Sequence, residues 1–304
     1  MGRLDGLKER APRLHRFLTR RDRPWPLLRE LLGGALALLL LVSILYGATG
    51  QPLAGGYPVV VVTSGSMMHC GNDDANGVGP SLGKDCDATS FGRIGTIDPG
   101  DLVFVRAVGE RDDVTTLAAA ERSSYGLEGD VVVYRPNDSD LTPIIHRALF
   151  WLQVNTDGTY TIPELDLADL RDSDLGHPAI VRLTRCELRP AGPHGPLTPA
   201  DSGFITKGDN NPYADQCPAG QLSGPVQVDW VLGKARGELP WIGHVKLFVD
   251  DLSCNNVNRP CNFANAAGDT KLLMGFVLAV LLGGPWVVER VMKARRKSAE
   301  PPQP

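Results

Sequence analysis

A charge-free apolar run from Leu31 to about Ala48, reading LLGGALALLLLVSILYGA, constrains this chain more than any other stretch. A helix needs roughly 20 apolar residues, within a range of about 17–25, to cross the hydrocarbon core of a bilayer. A cleavable secretory leader has a shorter apolar core of about 7–15 residues behind a short basic head. Here the preceding segment is long, arginine-rich and punctuated by proline: Arg3, Arg10, Arg13, Arg16, Arg20, Arg21, Arg23 and Arg29, with Pro12, Pro24 and Pro26. The run therefore reads as a retained transmembrane helix over 31–50 behind a basic segment 1–30. The small residues of Tyr46-Gly47-Ala48 keep cleavage as the alternative.

A second run, Leu272 to Val288, reads LLMGFVLAVLLGGPWVV. Pro285 near its end is tolerable in a spanning helix. Trp286 suits the membrane interface, and Arg290, Lys293, Arg295, Arg296 and Lys297 follow. We read 271–289 as a second span and 290–304 as a basic tail, with a buried core helix as the alternative. Positive residues favour the cytoplasmic side. Both ends then lie in the cytoplasm, and 51–270 lies outside. A net charge of −4 over 304 residues gives no footprint for a nucleic-acid partner. The basic ends can meet anionic lipid.

Cys70, Cys86, Cys186, Cys217, Cys254 and Cys261 all fall in the outer segment. An oxidising compartment permits disulfides there. Cys70–Cys86 and Cys254–Cys261 are plausible local loops. No Cys-x-x-Cys occurs and no histidine is spaced with the cysteines as a zinc ligand, so disulfides are expected and a metal site is not.

The outer segment reads as mostly β. Tyr57–Thr63 is β-branched, and Pro99-Gly100-Asp101 and Gly129-Asp130 each precede a short Val-rich run. Ile144–Phe150 is another strand, and Val226–Leu232 alternates with period two. Two stretches read as inserts: about 70–95, polar and Gly-rich, and about 157–202, rich in Asp, Leu and Pro and expected to be irregular in conformation. Asn72–Gly77 begins like a calcium loop, but Gly83 stands where the closing Glu belongs. Gly79–Lys84 lacks the glycine spacing of a phosphate loop.

Ser64-Gly65-Ser66-Met67 follows the first apolar run and the first strand. A hydroxyl in such a turn is a candidate nucleophile, and it needs a base and a group to orient that base. The outer histidines are His69, His146, His177, His194 and His244. His146 is favoured because it lies on a rigid apolar strand, where a positioned base belongs. Thr206-Lys207-Gly208-Asp209-Asn210-Asn211, with Asp215 beyond, forms a polar turn at a strand end and offers an acid.

In order along the chain, these blocks resemble type I signal peptidases of the archaeal and endoplasmic-reticulum type. The resemblance is carried by the anchor, Ser64-Gly65-Ser66-Met67, Gly100–Val103, Gly129–Tyr134, Ile145-His146-Arg147, Thr206–Asn211 with Asp215, and Gly233–Gly237 before Pro240–Gly243. It implies a mainly β fold: a signal-peptidase-like, β-rich catalytic domain flanked by two transmembrane helices. It also implies Ser66 as nucleophile and His146 as base, where the bacterial branch carries lysine. Asp215 matches the acid usually placed in the triad and Asp209 a second essential acid, so the partner of His146 stays open. The Ser66 N–H and Ser64 hydroxyl match the oxyanion donors.

The implied substrates are preproteins with small residues at −1 and −3, met at the cell membrane, or at the endoplasmic-reticulum membrane in a eukaryote. The secretion translocon or accessory subunits are implied partners, and no cofactor is. Met68 and His69 stand where the family usually has an acid and a proline. The two inserts are additions to the family pattern. The rival readings are a protease dedicated to one pro-peptide or pilin-like substrate, and a non-catalytic membrane-anchored binding module.

Overall fold

In the computed structural model, residues 26–53, 56–68, 96–119, 123–136, 142–189, 196–220, 222–240, 242–251 and 268–298 are described. The elements are α1 (Pro26–Thr49), β1 (Val59–Val61), β2 (Leu102–Arg106), β3 (Ser123–Ser124), β4 (Leu127–Glu128), β5 (Val131–Tyr134), β6 (Ile144–Val154), β7 (Tyr160–Ile162), β8 (Leu167–Leu170), α2 (Pro178–Thr184), β9 (Gly203–Lys207), β10 (Val231–Leu239), α3 (His244–Asp251) and α4 (Gly268–Ser298).

The two Gly-Asp units set the strands that follow them. Gly100 has φ +100°, and a Cβ there would stand 2.0 Å from His244 Cε1. Gly129 has φ +79°, and a Cβ would stand 2.5 Å from the Leu117 amide nitrogen. Only glycine combines that conformation with so close an approach. The aspartates then satisfy polar groups: Asp101 Oδ2 accepts from the Asp98 N–H at 2.8 Å, and Asp130 Oδ2 from Lys234 Nζ at 3.0 Å.

The strands form an eight-stranded antiparallel sheet in the order β1-β2-β10-β5-β6-β7-β8, with β9 also paired to β6. β3 and β4 make a separate hairpin. All of β5 is buried. Val131 and Val133 pack with Val62, Met67, Val103 and Ile145 on one side, while Val132 and Tyr134 pack with Trp151, Phe204 and Val226 on the other. A strand covered on both faces reads as a continuous apolar run rather than an alternation.

β6 spans 11 residues and joins two regions. Ile144–Arg147 pairs with β5 and Arg147–Leu152 with β9; its end pairs with β7. Around that end, Leu152, Val154, Ile162, Leu175, Ile180 and Leu188 form a separate apolar cluster. The stretch 157–202, expected to be irregular, thus carries β7, β8 and α2. A Cys186–Cys217 disulfide ties it to the loop after β9. The proposed Cys70–Cys86 and Cys254–Cys261 pairs, and the insert 70–95, lie outside the described residues. The strand expected over Val226–Leu232 begins only at Val231, because Val228–Trp230 closes a 3₁₀ turn with the Trp230 N–H donating to the Gln227 carbonyl at 3.1 Å.

Within α1, Glu30–Thr49 is long and apolar enough to cross a membrane. Its leucines are exposed along the helix. In α4, Gly275–Gly284 and Trp286–Met292 meet at a bend of 41° around Pro285 and qualify as a span only when taken together. Among the described residues, α1 alone therefore meets the test by itself. Its end is fixed to the sheet: Gln51 Nε2 donates to the Val105 and Leu232 carbonyls, both at 3.0 Å, and Gln51 Oε1 accepts from the Tyr57 N–H at 2.6 Å.

Candidate active site

Ser66 lies in the turn after β1. The Asn210 N–H donates to the Ser66 carbonyl at 2.8 Å, and Asn210 Nδ2 donates to the Gly65 carbonyl at 2.9 Å. Met67 is buried in the apolar cluster beneath. The turn is therefore held from the core side and by the loop after β9.

His146 is 2% exposed on β6, opposite Val132 of β5. Its Nε2 is 3.1 Å from Ser66 Oγ, and its Nδ1 is 2.7 Å from Asp215 Oδ2. A carboxylate only accepts hydrogen bonds, so Nδ1 carries the proton and Nε2 faces the serine as acceptor. Ser64 Oγ lies 3.3 Å from Ser66 Oγ. Asp215 Oδ2 also accepts from Thr206 Oγ1 at 2.7 Å and from the Tyr134 hydroxyl at 2.9 Å.

Asp209, six positions earlier in the same loop, meets a different group. Arg147 Nε and Nη2 donate to its two carboxylate oxygens at 2.8 and 2.6 Å. Arg147 Nη1 donates to the Ser124, Leu127, Glu128 and Gly129 carbonyls at 2.8–3.3 Å. Consecutive strand residues point to opposite faces, so His146 and Arg147 each take one acid of the loop. The acid in contact with His146 is Asp215.

The other histidines stand elsewhere. His244 is buried with Nδ1 3.3 Å from the Gly100 carbonyl, and His177 caps α2 by accepting from the Ala179 N–H at 3.3 Å. His69 and His194 lie outside the described residues. Among the described residues, no group of three or more His, Cys, Asp or Glu side chains could hold a metal ion.

A cleft of about 470 Å³ opens beside Ser66 and His146. Val60, Val61, Val62 and Thr63 line one side, and Thr142, Pro143, Ile144 and Ile145 another. Tyr57 and Lys246 also line it. Two extended segments thus border a mostly apolar trough that leads to the serine.

No protein-family model matches the chain. It is 25% identical over 123 residues to the signal peptidase complex catalytic subunit SEC11 of Schizophyllum commune, a match covering 40% of this chain and 49% of that protein. The chain thus spans about half the length of the curated relative it matches. This distant homology supports kinship with a signal-peptidase-like family and nothing finer.

Nothing in the sequence pattern assigns a role to Tyr134, Thr206 or Arg147. A phenol ending an apolar strand is a usable signal, because a buried hydroxyl needs a partner. Burial, followed by the charge of Asp215, pushes the Tyr134 phenol well above its ordinary pKa. Lys207, next to Thr206, is pulled below the usual lysine range by burial, against the opposing pull of Asp209 and Asp215.

Proposed function

We propose that this chain is a membrane-anchored serine endopeptidase that removes signal peptides from exported preproteins. The observation that carries the reading is the hydrogen-bonded series Ser66–His146–Asp215, at 3.1 and 2.7 Å, at the edge of an apolar trough. The kinship with a catalytic subunit of a signal peptidase complex supports the substrate class.

In this reading, Ser66 Oγ attacks the scissile carbonyl as its proton passes to His146 Nε2. Asp215 holds the imidazole and stabilises the imidazolium that forms. The Ser66 N–H and the Ser64 hydroxyl receive the oxyanion, where preorganised donors contribute most. The imidazolium then protonates the leaving amine. The acyl group on Ser66 is released by a water that His146 deprotonates in turn. Asp209 enters no proton transfer and holds its loop through Arg147.

The substrate lies extended between the two trough walls, adding main-chain hydrogen bonds to a strand edge. Small residues at −1 and −3 face the apolar lining. α1 spans the membrane, α4 spans it a second time, and both basic ends lie in the cytoplasm. The catalytic body then faces the outer, or lumenal, side. Anchoring raises the effective concentration of membrane-held substrate. Accessory subunits are natural partners, given that the relative is one subunit of a complex.

The test is Ser66→Ala in full-length chain, assayed in membranes on a preprotein with an Ala-x-Ala site. The expected result is a loss of cleavage by a factor of about 10⁴–10⁶ with melting unchanged. Cleavage at the parent rate would sink the mechanism.

A further inference from the structure

Asp215 Oδ2 is approached by three donors from three strands. They are His146 Nδ1 at 2.7 Å from β6, Thr206 Oγ1 at 2.7 Å from β9, and the Tyr134 hydroxyl at 2.9 Å from β5. The register explains the convergence. Tyr134 pairs with Ile144, Val132 with His146 and Thr206 with Ala148, so the three donors share one face of the sheet. The Tyr134 and Thr206 side chains have no access to solvent. A water cannot replace either hydroxyl without a cavity to hold it.

The Tyr134 hydroxyl also lies 3.2 Å from Thr206 Oγ1, so the two hydroxyls meet each other as well as the carboxylate. Gln216 Nε2 donates to Thr206 Oγ1 at 3.3 Å, while Gln216 Oε1 accepts from the Thr206 N–H at 3.0 Å. The Thr206 hydroxyl, already an acceptor from Gln216, spends its own proton on Asp215. The Tyr134 phenol is held protonated by its burial, so it too faces the carboxylate as a donor.

Resting on the reading of Ser66, His146 and Asp215 above, we propose that Tyr134 and Thr206 are positioning residues that fix the Asp215 carboxylate and set how strongly it holds a proton on His146. Two hydroxyl donors share the negative charge of Oδ2 that would otherwise fall on the imidazole alone. Hydrogen bonds to an ionised group stabilise it and lower its proton affinity. Removing one donor leaves the carboxylate more basic, and protonated His146 is then held more tightly. Neutral His146 is the working base, so the acid limb of kcat/KM moves to higher pH. Lys207, next to Thr206, feels the charges of Asp209, Arg185, Asp215 and Arg147, and every variant below retains all of them.

The test measures kcat/KM against pH for the full-length chain, Tyr134→Phe, Thr206→Val and Thr206→Ser, with melting temperature alongside and Ser66→Ala as the inactive reference. The acid limb of Tyr134→Phe is expected to move up by about one unit, so that cleavage below the limb falls about tenfold. The loss narrows as pH rises. Thr206→Val carries the same expectation if Tyr134→Phe fails to fold, and Thr206→Ser restores the parent limb because it keeps the hydroxyl. A uniform loss at all pH values with a lowered melting temperature would mark a merely structural role and overturn the proposal. An unmoved limb in a chain that Ser66→Ala inactivates overturns the positioning role alone. Persistent cleavage by Ser66→Ala overturns the underlying reading and this proposal with it.

Discussion

The two faces of β6 at His146 and Arg147 use the same materials differently. Each residue is buried, and each meets one aspartate from the single loop after β9. On the Arg147 face, the guanidinium gives both outer nitrogens and Nε to Asp209 and to four carbonyls of the β3–β4 hairpin and its flank. Arginine stays charged at every accessible pH, so this face can clamp but cannot exchange a proton. On the His146 face, the ring has one nitrogen on Asp215 and the other on a serine hydroxyl. Histidine can take and return a proton near neutral pH. The difference shows that an acidic residue in this loop acquires its partner from the strand face it meets, not from its place in the loop.

Neutralising each acid in turn separates the two faces. In Asp215→Asn, cleavage is expected to fall by about 10⁴ while the melting temperature holds, since the ring loses its orienting charge. In Asp209→Asn, the buried Arg147 loses its counter-charge, and breaking such a pair costs about 3–5 kcal/mol of stability. Its activity is expected to fall with the folded fraction, read by denaturant unfolding beside turnover per folded molecule. An Asp209→Asn protein of parental stability and no turnover would put the chemistry on both faces and end the distinction.

A smaller effect separates this wall of the sheet from the cluster at the far end of β6. Cys186 and Cys217 close a loop with a separation of 31 residues, for which chain entropy gives about 3–4 kcal/mol. Replacing both by serine is expected to lower the unfolding midpoint by that order. Asp215 stands two positions before Cys217 but is held by its own hydrogen bonds to Thr206, Tyr134 and His146, so the acid limb of the pH profile is expected to stay in place. A limb that moved with the disulfide would show that the far cluster tunes the site.

The residues explain why some of this was legible in the sequence. Gly100 and Gly129 announced their strands because each needs a left-handed backbone at a crowded approach. Ser66 and His146 stood out as a hydroxyl in a turn and an imidazole on an apolar strand, and the fold brings them within hydrogen-bond distance. The partner of His146 could not be read, because Asp209 and Asp215 share one irregular loop with no period to separate them. Only the alternation of β6 against that loop does so. Tyr134 stayed silent because its partner is 81 positions away. The stretch 157–202 looked irregular because Leu170, Leu175, Ile180 and Leu188 are scattered among Asp and Pro. They gain order by packing on the end of β6. Pro285 did not disturb the reading of a second apolar run, yet the helix bends there by 41°.

If Ser66 attacks the substrate as proposed, an acyl-enzyme forms on it and can be trapped. The full-length chain, mixed with an Ala-x-Ala preprotein and quenched in acid within a turnover, is digested and its peptides weighed. The expected result is the mass of the leader's acyl fragment on the peptide containing Ser66, and its disappearance in Ser66→Ala. A fragment carried on any other residue, or cleavage that continues in Ser66→Ala, would contradict it.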